Sequence, residues 1–119
     1  MQLAYLLFDA SDEEIGACSF DAMASVLPDR LPALLREVEA VLGWAYRRFG
    51  PPADAEEGEW DFALQAVGEP DVALAITYDF ESERVSMAPG VRDRVRITLT
   101  LGGSYAFGEA FREAFPESD

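Results

Sequence analysis

Three stretches of this chain alternate bulky apolar residues with small or polar ones. In residues 72–80 the bulky set comprises Val, Leu, Ile, Tyr and Phe, and the residues between them are Ala, Thr and Asp. Residues 94–101 alternate Val, Ile and Leu with Arg and Thr, and residues 60–65 alternate Trp, Phe and Leu with Asp, Ala and Gln. Because successive side chains of a strand point to opposite faces, each stretch predicts a strand with one bulky apolar face. A sheet built from these strands needs an apolar layer to cover that face.

Residues 29–49 can supply such a layer, because their apolar side chains recur at the spacing of an amphipathic helix. The apolar positions are Leu31, Leu34, Leu35, Val38, Val41, Leu42, Ala45 and Phe49. Asp29 is a suitable N-cap, and the Gly-Pro-Pro sequence at residues 50–52 ends the helix. Three charged residues mark the side that is expected to face solvent: Arg36, Glu37 and Glu39.

A second helix is predicted over residues 104–115, where Phe recurs every fourth residue at Phe107, Phe111 and Phe115. The Gly-Gly-Ser sequence at residues 102–104 leads into it. Backbone amides at a helix start can bind an anion. No phosphate-loop pattern surrounds these residues, so a tight turn with Ser104 as N-cap is the favoured interpretation.

The N-terminal part of the chain allows two interpretations. Residues 2–8 are short and apolar and predict a first strand, and residues 17–26 alternate apolar with polar residues, which predicts a second strand in a hairpin with the first. The alternative is a helix that starts at Ser11 with Glu14 completing a capping box. That helix would have to accommodate Gly16, so the strand is favoured.

The predicted elements combine into one domain spanning residues 1–119. Their order is β-β-α-β-β-β-α, and both helices can cover the bulky face of one sheet. The expected fold is therefore an α+β two-layer sandwich, with a mainly antiparallel sheet of about five strands and two helices on one face. Residues 81–93 either form an extended loop or contain a short strand over residues 83–87.

The residue types that are missing exclude several kinds of chemistry. The 119-residue chain has no His and no Lys, and Cys18 is its single cysteine. Without His there is no Ser-His-Asp or Cys-His pair and no His-ligated zinc, and without Lys there is no Schiff base or covalent pyridoxal phosphate. We therefore expect no cofactor and no metal, and we favour a non-enzymatic role. A single, apolar-flanked Cys18 predicts a buried thiol and a reducing, cytoplasmic location.

The formal net charge of -14 limits the kinds of partner that the chain can attract. Contacts with phosphate need cations, so we expect no binding to nucleic acid or to anionic membranes, and a basic protein partner would be attracted instead. The apolar stretch at residues 3–8 is too short for a membrane span or a signal peptide. For the charge itself, solubility alone is the favoured interpretation, and a functional acidic surface, such as one that imitates a nucleic acid, is the alternative.

The other face of the predicted sheet carries small, half-polar residues that could form an interface. They are Ala63, Gln65, Ala73, Ala75, Thr77, Thr98 and Thr100. A flat sheet face of this kind can pack against its own copy in a two-fold homodimer. A solvated face is an equally weighted interpretation.

Arg92, Arg94 and Arg96 are spaced by two and form a basic stripe along the last strand. Unpaired, their guanidinium groups could bind a carboxylate or phosphate ligand. Asp79 and Glu81 lie on the corresponding face of the preceding strand, so a ladder of Arg–carboxylate pairs between the two strands is favoured over a ligand site.

Two acidic runs, at residues 9–14 and 54–61, offer carboxylates that could chelate a hard cation. Neither has the glycine and terminal glutamate spacing of a calcium-binding EF-hand loop. Solvated acidic loops are the favoured interpretation.

The leading hypothesis is a non-enzymatic, acidic protein-interaction or adaptor domain that forms a homodimer and receives a basic partner. In size and acidity the chain resembles bacterial secretion chaperones and related small adaptors, a resemblance that implies no particular site residues. The rival hypotheses are a small-ligand binder or carboxylate–Arg enzyme, and an acidic mimic of nucleic acid.

Overall fold

The computed structural model describes residues 3–12, 18–52, 60–69, 71–87 and 92–115. The elements in chain order are β1 (Asp9–Asp12), β2 (Cys18–Val26), α1 (Leu31–Phe49), β3 (Trp60–Gly68), β4 (Val72–Leu74), β5 (Ile76–Asp79), β6 (Arg84–Met87), β7 (Val95–Gly103) and α2 (Tyr105–Ala114). Five strands form an antiparallel sheet in the order β1-β2-β7-β3-β4, and β5 and β6 form a separate two-stranded sheet. The predicted α+β fold is confirmed.

The central strand β7 sets the two faces of the main sheet. Leu101 lies between Phe20 of β2 and Phe62 of β3, and Ile97 is paired across both neighbours with alanines. Residues directly opposite each other in neighbouring strands lie on the same face. The large apolar residues of three strands therefore form one continuous surface, as the alternation predicts.

Both helices cover this surface, which forms the core. Helix α1 buries its apolar stripe, from Leu34 to Ala45, and α2 buries Phe107 and Phe111. Ser104 caps α2, since its hydroxyl oxygen accepts a 3.1 Å hydrogen bond from the Phe107 amide. The tight turn with a serine cap is confirmed, and Gly102 and Gly103 are the last two residues of β7.

The N-terminal strands differ in part from the prediction. Residues 18–26 form a strand, which confirms the alternation and not the alternative helix. Residues 3–8 do not belong to a strand, and β1 begins only at Asp9. The apolar stretch at residues 3–8 was expected to pair in the sheet, but amides within it bond to a side chain of α1 instead. Glu14 and Gly16, which the alternative helix would have used, lie outside the described residues.

The predicted fourth strand is interrupted at Ala75. Residues 72–74 form the edge strand β4 beside β3, whereas residues 76–79 leave the main sheet as β5 and pair with β6. The segment that the sequence left open therefore contains a strand, at residues 84–87. The β5–β6 turn is held by Asp79, whose carboxylate accepts from the Glu81 amide and from the hydroxyl of Ser82.

The β5–β6 hairpin packs on the side of α1 that was expected to face water. Glu39 accepts a 2.8 Å hydrogen bond from the Val85 amide, and Arg47 forms an ion pair with Glu83. Gly43 is buried beneath this pair, and a Cβ at that position would lie 3.0 Å from Glu83 Oε1. Of the three charged residues assigned to solvent, Arg36 is exposed, Glu39 is half-buried and Glu37 is buried. The assignment of Glu37 and Glu39 to solvent was therefore wrong.

Trp60 joins three elements at one end of the core. Its indole N–H donates to the Gly50 carbonyl oxygen at 2.9 Å, which ties the start of β3 to the end of α1. Its ring is parallel to that of Phe107, with centroids 5.8 Å apart. Gly50 has a φ of 82°, a conformation that favours glycine at a helix end.

Helix α2 approaches β2 closely at Gly108. A Cβ at this position would lie 2.9 Å from Cys18 Cβ and closer still to Cys18 Sγ. Cys18 is 4 % exposed, so its predicted burial is confirmed. The missing side chain of Gly108 thus permits the contact between helix and sheet.

We expect Gly108→Ala to lower the free energy of unfolding by about 1–2 kcal/mol, because overpacking at Cys18 costs up to about 3 kcal/mol and Ala is favoured over Gly inside a helix by roughly 1 kcal/mol. Gly102→Ala is the matched control: its new Cβ would have Cys18 O as its nearest neighbour at 4.0 Å. The control should change stability by less than about 0.5 kcal/mol in urea denaturation. Equal effects of the two substitutions would contradict the close contact.

Candidate functional site

The face of the main sheet opposite the helices is open in the part of the chain that the structure describes. Its side chains come from alternate positions of the five strands. They are Asp9 of β1, Ser19, Asp21, Met23 and Ser25 of β2, Arg96, Thr98 and Thr100 of β7, Asp61, Ala63, Gln65 and Val67 of β3, and Ala73 of β4. We call this surface the open face. Its centre is small and polar except for Met23, which is 61 % exposed.

The two ends of the open face carry opposite charges. At one end Asp21 lies beside Thr100, whose hydroxyl donates to Asp21 Oδ1 at 2.8 Å, and Asp61 is exposed nearby on β3. At the other end Arg96 lies between Ser25 and Val67, and the Arg94 guanidinium donates to the Ser25 carbonyl oxygen at 3.1 Å. The charges are thus separated along the strand direction.

The structure brings together most of the residues predicted as an interface. Ala63, Gln65, Thr98, Thr100 and Ala73 share the open face, with Thr98 beside Gln65 and Thr100 beside Ala63. The two remaining residues are placed elsewhere, because the chain leaves the main sheet after Leu74. Ala75 lies at the break, and Thr77 belongs to β5.

The predicted arginine stripe has different neighbours from those expected. Strand β7 lies between β2 and β3, so Arg96 is not beside β5. Asp79 is instead opposite Arg84 of β6, and Glu81 lies in the β5–β6 turn. Among the described residues no salt bridge joins Arg92, Arg94 or Arg96 to Asp79 or Glu81. The expected ladder between consecutive strands is therefore not formed.

The two acidic runs lie only in part within the described residues, which include Asp9, Asp12 and Asp61. Residues 13–14 and 54–59 lie outside the described residues. Within the described ranges, no three Cys, Asp or Glu side chains are arranged to hold a metal ion. Neither described helix is long and apolar enough to cross a membrane.

An aromatic cluster links α1 to the β5–β6 hairpin. The ring of Tyr46 is parallel to that of Phe80 at 5.6 Å, and it also contacts Tyr78 at 5.4 Å. The Tyr78 hydroxyl oxygen is buried without a hydrogen-bond partner among the described residues. Burial raises the pKa of Tyr78, and the carboxylate of Glu83 raises it further. Burial also raises the pKa of Tyr46, with a smaller contribution from Asp61.

Glu37 is a buried charged residue at the edge of the core, although its charge in the sequence predicted a place in solvent. Its Oε2 accepts from the Ala4 amide at 2.8 Å, and its Oε1 accepts from the Tyr5 and Leu6 amides at 3.0 Å each. One carboxylate thereby satisfies three consecutive backbone donors. The available signal was its position three residues after Leu34 and four before Val41, at the edge of the apolar stripe.

Comparison of the chain with protein-family models, with curated proteins and with solved structures finds no match.

We expect Glu37→Ala to lower the free energy of unfolding by about 2–4 kcal/mol, because it leaves three backbone amides unpaired beside the core. Glu37→Gln should have an intermediate effect, since an amide keeps only one acceptor oxygen. Hydrogen exchange at Ala4, Tyr5 and Leu6 should accelerate in both variants.

The matched control for Glu37 is Glu109→Ala on α2. Glu109 is exposed and accepts a hydrogen bond from the Tyr105 hydroxyl on the same helix. Its removal should change stability by less than about 0.5 kcal/mol. A Glu37→Ala variant as stable as this control would show that the N-terminal segment is not held by the carboxylate.

We expect Tyr78→Phe to leave stability unchanged or to raise it by up to about 1 kcal/mol at neutral pH, because it removes a buried hydroxyl that has no hydrogen-bond partner among the described residues.

The raised pKa of Tyr78 also predicts a pH dependence, because the unfolded chain loses the phenolic proton of Tyr78 at a lower pH than the folded chain does. Stability should therefore fall above the ordinary tyrosine pKa of 10.0. Denaturation at several pH values should show a smaller fall in Tyr78→Phe, and a neutral-pH loss above about 1 kcal/mol would contradict the assignment.

Proposed function

We propose that this chain is a non-enzymatic, acidic protein-interaction domain that forms a two-fold homodimer through its open face. The observation that carries the proposal is the opposite charge at the two ends of a face that is otherwise small and polar. Small side chains allow two sheets to approach, and charge complementarity defines how they are oriented.

A two-fold axis that crosses the strands near Thr98 fits this charge pattern. Such an axis lies between the two sheets and reverses the strand direction, so Thr98 meets its own copy. Arg96 of one subunit then lies over Thr100 of the second subunit, next to Asp21. Each ion pair would occur twice, as the symmetry of an isologous interface requires.

The proposal includes a basic protein partner for the remaining acidic surface, and a cytoplasmic location. The net charge of -14 supports such a partner by long-range attraction. The β5–β6 turn offers one contact point, where Phe80 is 56 % exposed between Asp79 and Glu81. An arginine or lysine side chain can lie on such a ring while its charge faces the carboxylates.

The rival hypothesis of a carboxylate–arginine site is not adopted. Asp79 and Arg96 belong to different sheets, and β7 has β2 and β3 as its neighbours. A joint role for these residues therefore has no geometric support.

Sedimentation at about 50 µM protein tests the homodimer, because a specific interface of standard size should be populated at that concentration. We expect a mass of twice 13.1 kDa. Arg96→Glu should weaken the dimer by at least about tenfold, since it places like charges together at two symmetric points. Asp21→Arg combined with Arg96→Glu should restore much of the lost affinity.

The control variant is Arg48→Glu, which makes the same charge change on α1, on the other side of the sheet. It should leave the dissociation constant of the dimer unchanged. A native chain that is monomeric at this concentration would overturn the homodimer, and equal weakening by Arg48→Glu and Arg96→Glu would show that net charge, not the open face, controls association.

A further inference from the structure

Met23 is a long apolar side chain on the open face, and it is 61 % exposed. It lies in β2 directly opposite Thr98 of β7. On its other side the neighbouring strand has ended, because β1 pairs with residues 18–21 of β2 and not further along it. The next side chains of β2 on the same face are the shorter Asp21 and Ser25. Short neighbours and an open flank therefore leave the Met23 side chain accessible to solvent.

The second methionine that the structure describes has different surroundings. Met87 lies in β6 opposite Ile76 of β5, is half-buried and packs against the core. Met1 lies outside the described residues. The reaction of a thioether with a small oxidant depends on the access of the oxidant to its sulfur. We therefore expect a peroxide to oxidise Met23 faster than Met87.

In the homodimer proposed above, Met23 meets its own copy. The two-fold axis crosses the strands near Thr98, and Met23 is the partner of Thr98 in the β2–β7 ladder, so the same axis passes over Met23. Two packed sheets lie about 10 Å apart, a distance that alanine and threonine side chains do not span. The long, flexible side chain of methionine can fill such a space, and methionine is enriched in interfaces. The two Met23 side chains therefore form an apolar contact on the axis.

We propose that Met23 is a modification site, and that its oxidation to the sulfoxide by hydrogen peroxide separates the homodimer. This inference rests on the proposed function, because it concerns the regulation of the same face. In the reaction the thioether sulfur attacks one peroxide oxygen, an S–O bond forms and the O–O bond breaks. The released hydroxide takes the proton of the transferred oxygen and leaves as water. The sulfur is oxidised by two electrons, and the peroxide is reduced.

The sulfoxide changes the contact on the axis from apolar to polar. Its oxygen is a hydrogen-bond acceptor, and the sulfoxide has no hydrogen to donate. Two such groups that face each other across the axis cannot satisfy each other, so burying them costs free energy. In the separated chains both sulfoxides are hydrated. Oxidation of Met23 therefore favours the monomer.

The test treats the native chain with hydrogen peroxide, locates the sulfoxides by peptide mass spectrometry and measures the dissociation constant of the dimer by sedimentation. We expect the sulfoxide of Met23 to form before that of Met87, and the dissociation constant to rise by at least about tenfold. Reduction by the two methionine sulfoxide reductases, one for each sulfoxide epimer, should restore the original value.

Two variants show which methionine is responsible. Met87→Leu keeps Met23, so its dimer should be weakened by peroxide as much as the native dimer. Met23→Leu keeps Met1 and Met87 but has no thioether on the open face. Whatever dissociation constant this variant has before treatment, peroxide should leave it unchanged.

The outcomes separate this inference from the homodimer itself. A native chain that is monomeric before treatment would overturn both. A dimer that keeps its dissociation constant after Met23 is oxidised would leave the homodimer in place and overturn the inference. Oxidation of Met87 before Met23, or equal weakening of the native chain and Met23→Leu, would also overturn it.

Discussion

The structure depends on the register in which β7 pairs with both of its neighbours. A shift by one residue would turn the apolar residues of a strand to the opposite face. In the observed register Leu101 meets Phe20 and Phe62, so the large side chains of three strands face the helices together. The same pairing places Arg96 and Thr98 on the uncovered side. The core and the open face are therefore two results of one alignment.

The elements that depend on side-chain periodicity were predictable, and those that depend on the choice of partner were not. The strand at residues 95–103 and the helix at residues 31–49 follow from repeats of two and of 3.6 residues, which burial imposes. The break at Ala75 was missed, because a strand that moves from one sheet to another keeps its alternation. Residues 3–8 are apolar because they cover the core, but their amides bond to a carboxylate and not to a strand.

The candidate site was likewise predictable in part: side-chain periodicity placed some of its residues, and the neighbours of others depended on the choice of partner. Ala63, Gln65, Thr98 and Thr100 could be placed together from the sequence, because alternation alone assigns them to one face. The neighbours of Arg96 could not be predicted, because strand order is a property of the whole sheet: β7 lies between β2 and β3 and not beside the strand that precedes it in sequence. Glu37 was assigned to solvent on the basis of its charge. Its partners are backbone amides, which every residue except proline carries, so residue types could not reveal them.

The short outer strands have a consequence for assembly. The main sheet ends in β1 with four residues and in β4 with three, and these present few free backbone groups to another chain. Short edge strands are a common protection against uncontrolled strand addition and fibre growth. An uncovered pleated surface on a molecule with such borders favours closed, finite complexes over fibres, because the short edge strands give a further copy few backbone groups to pair with.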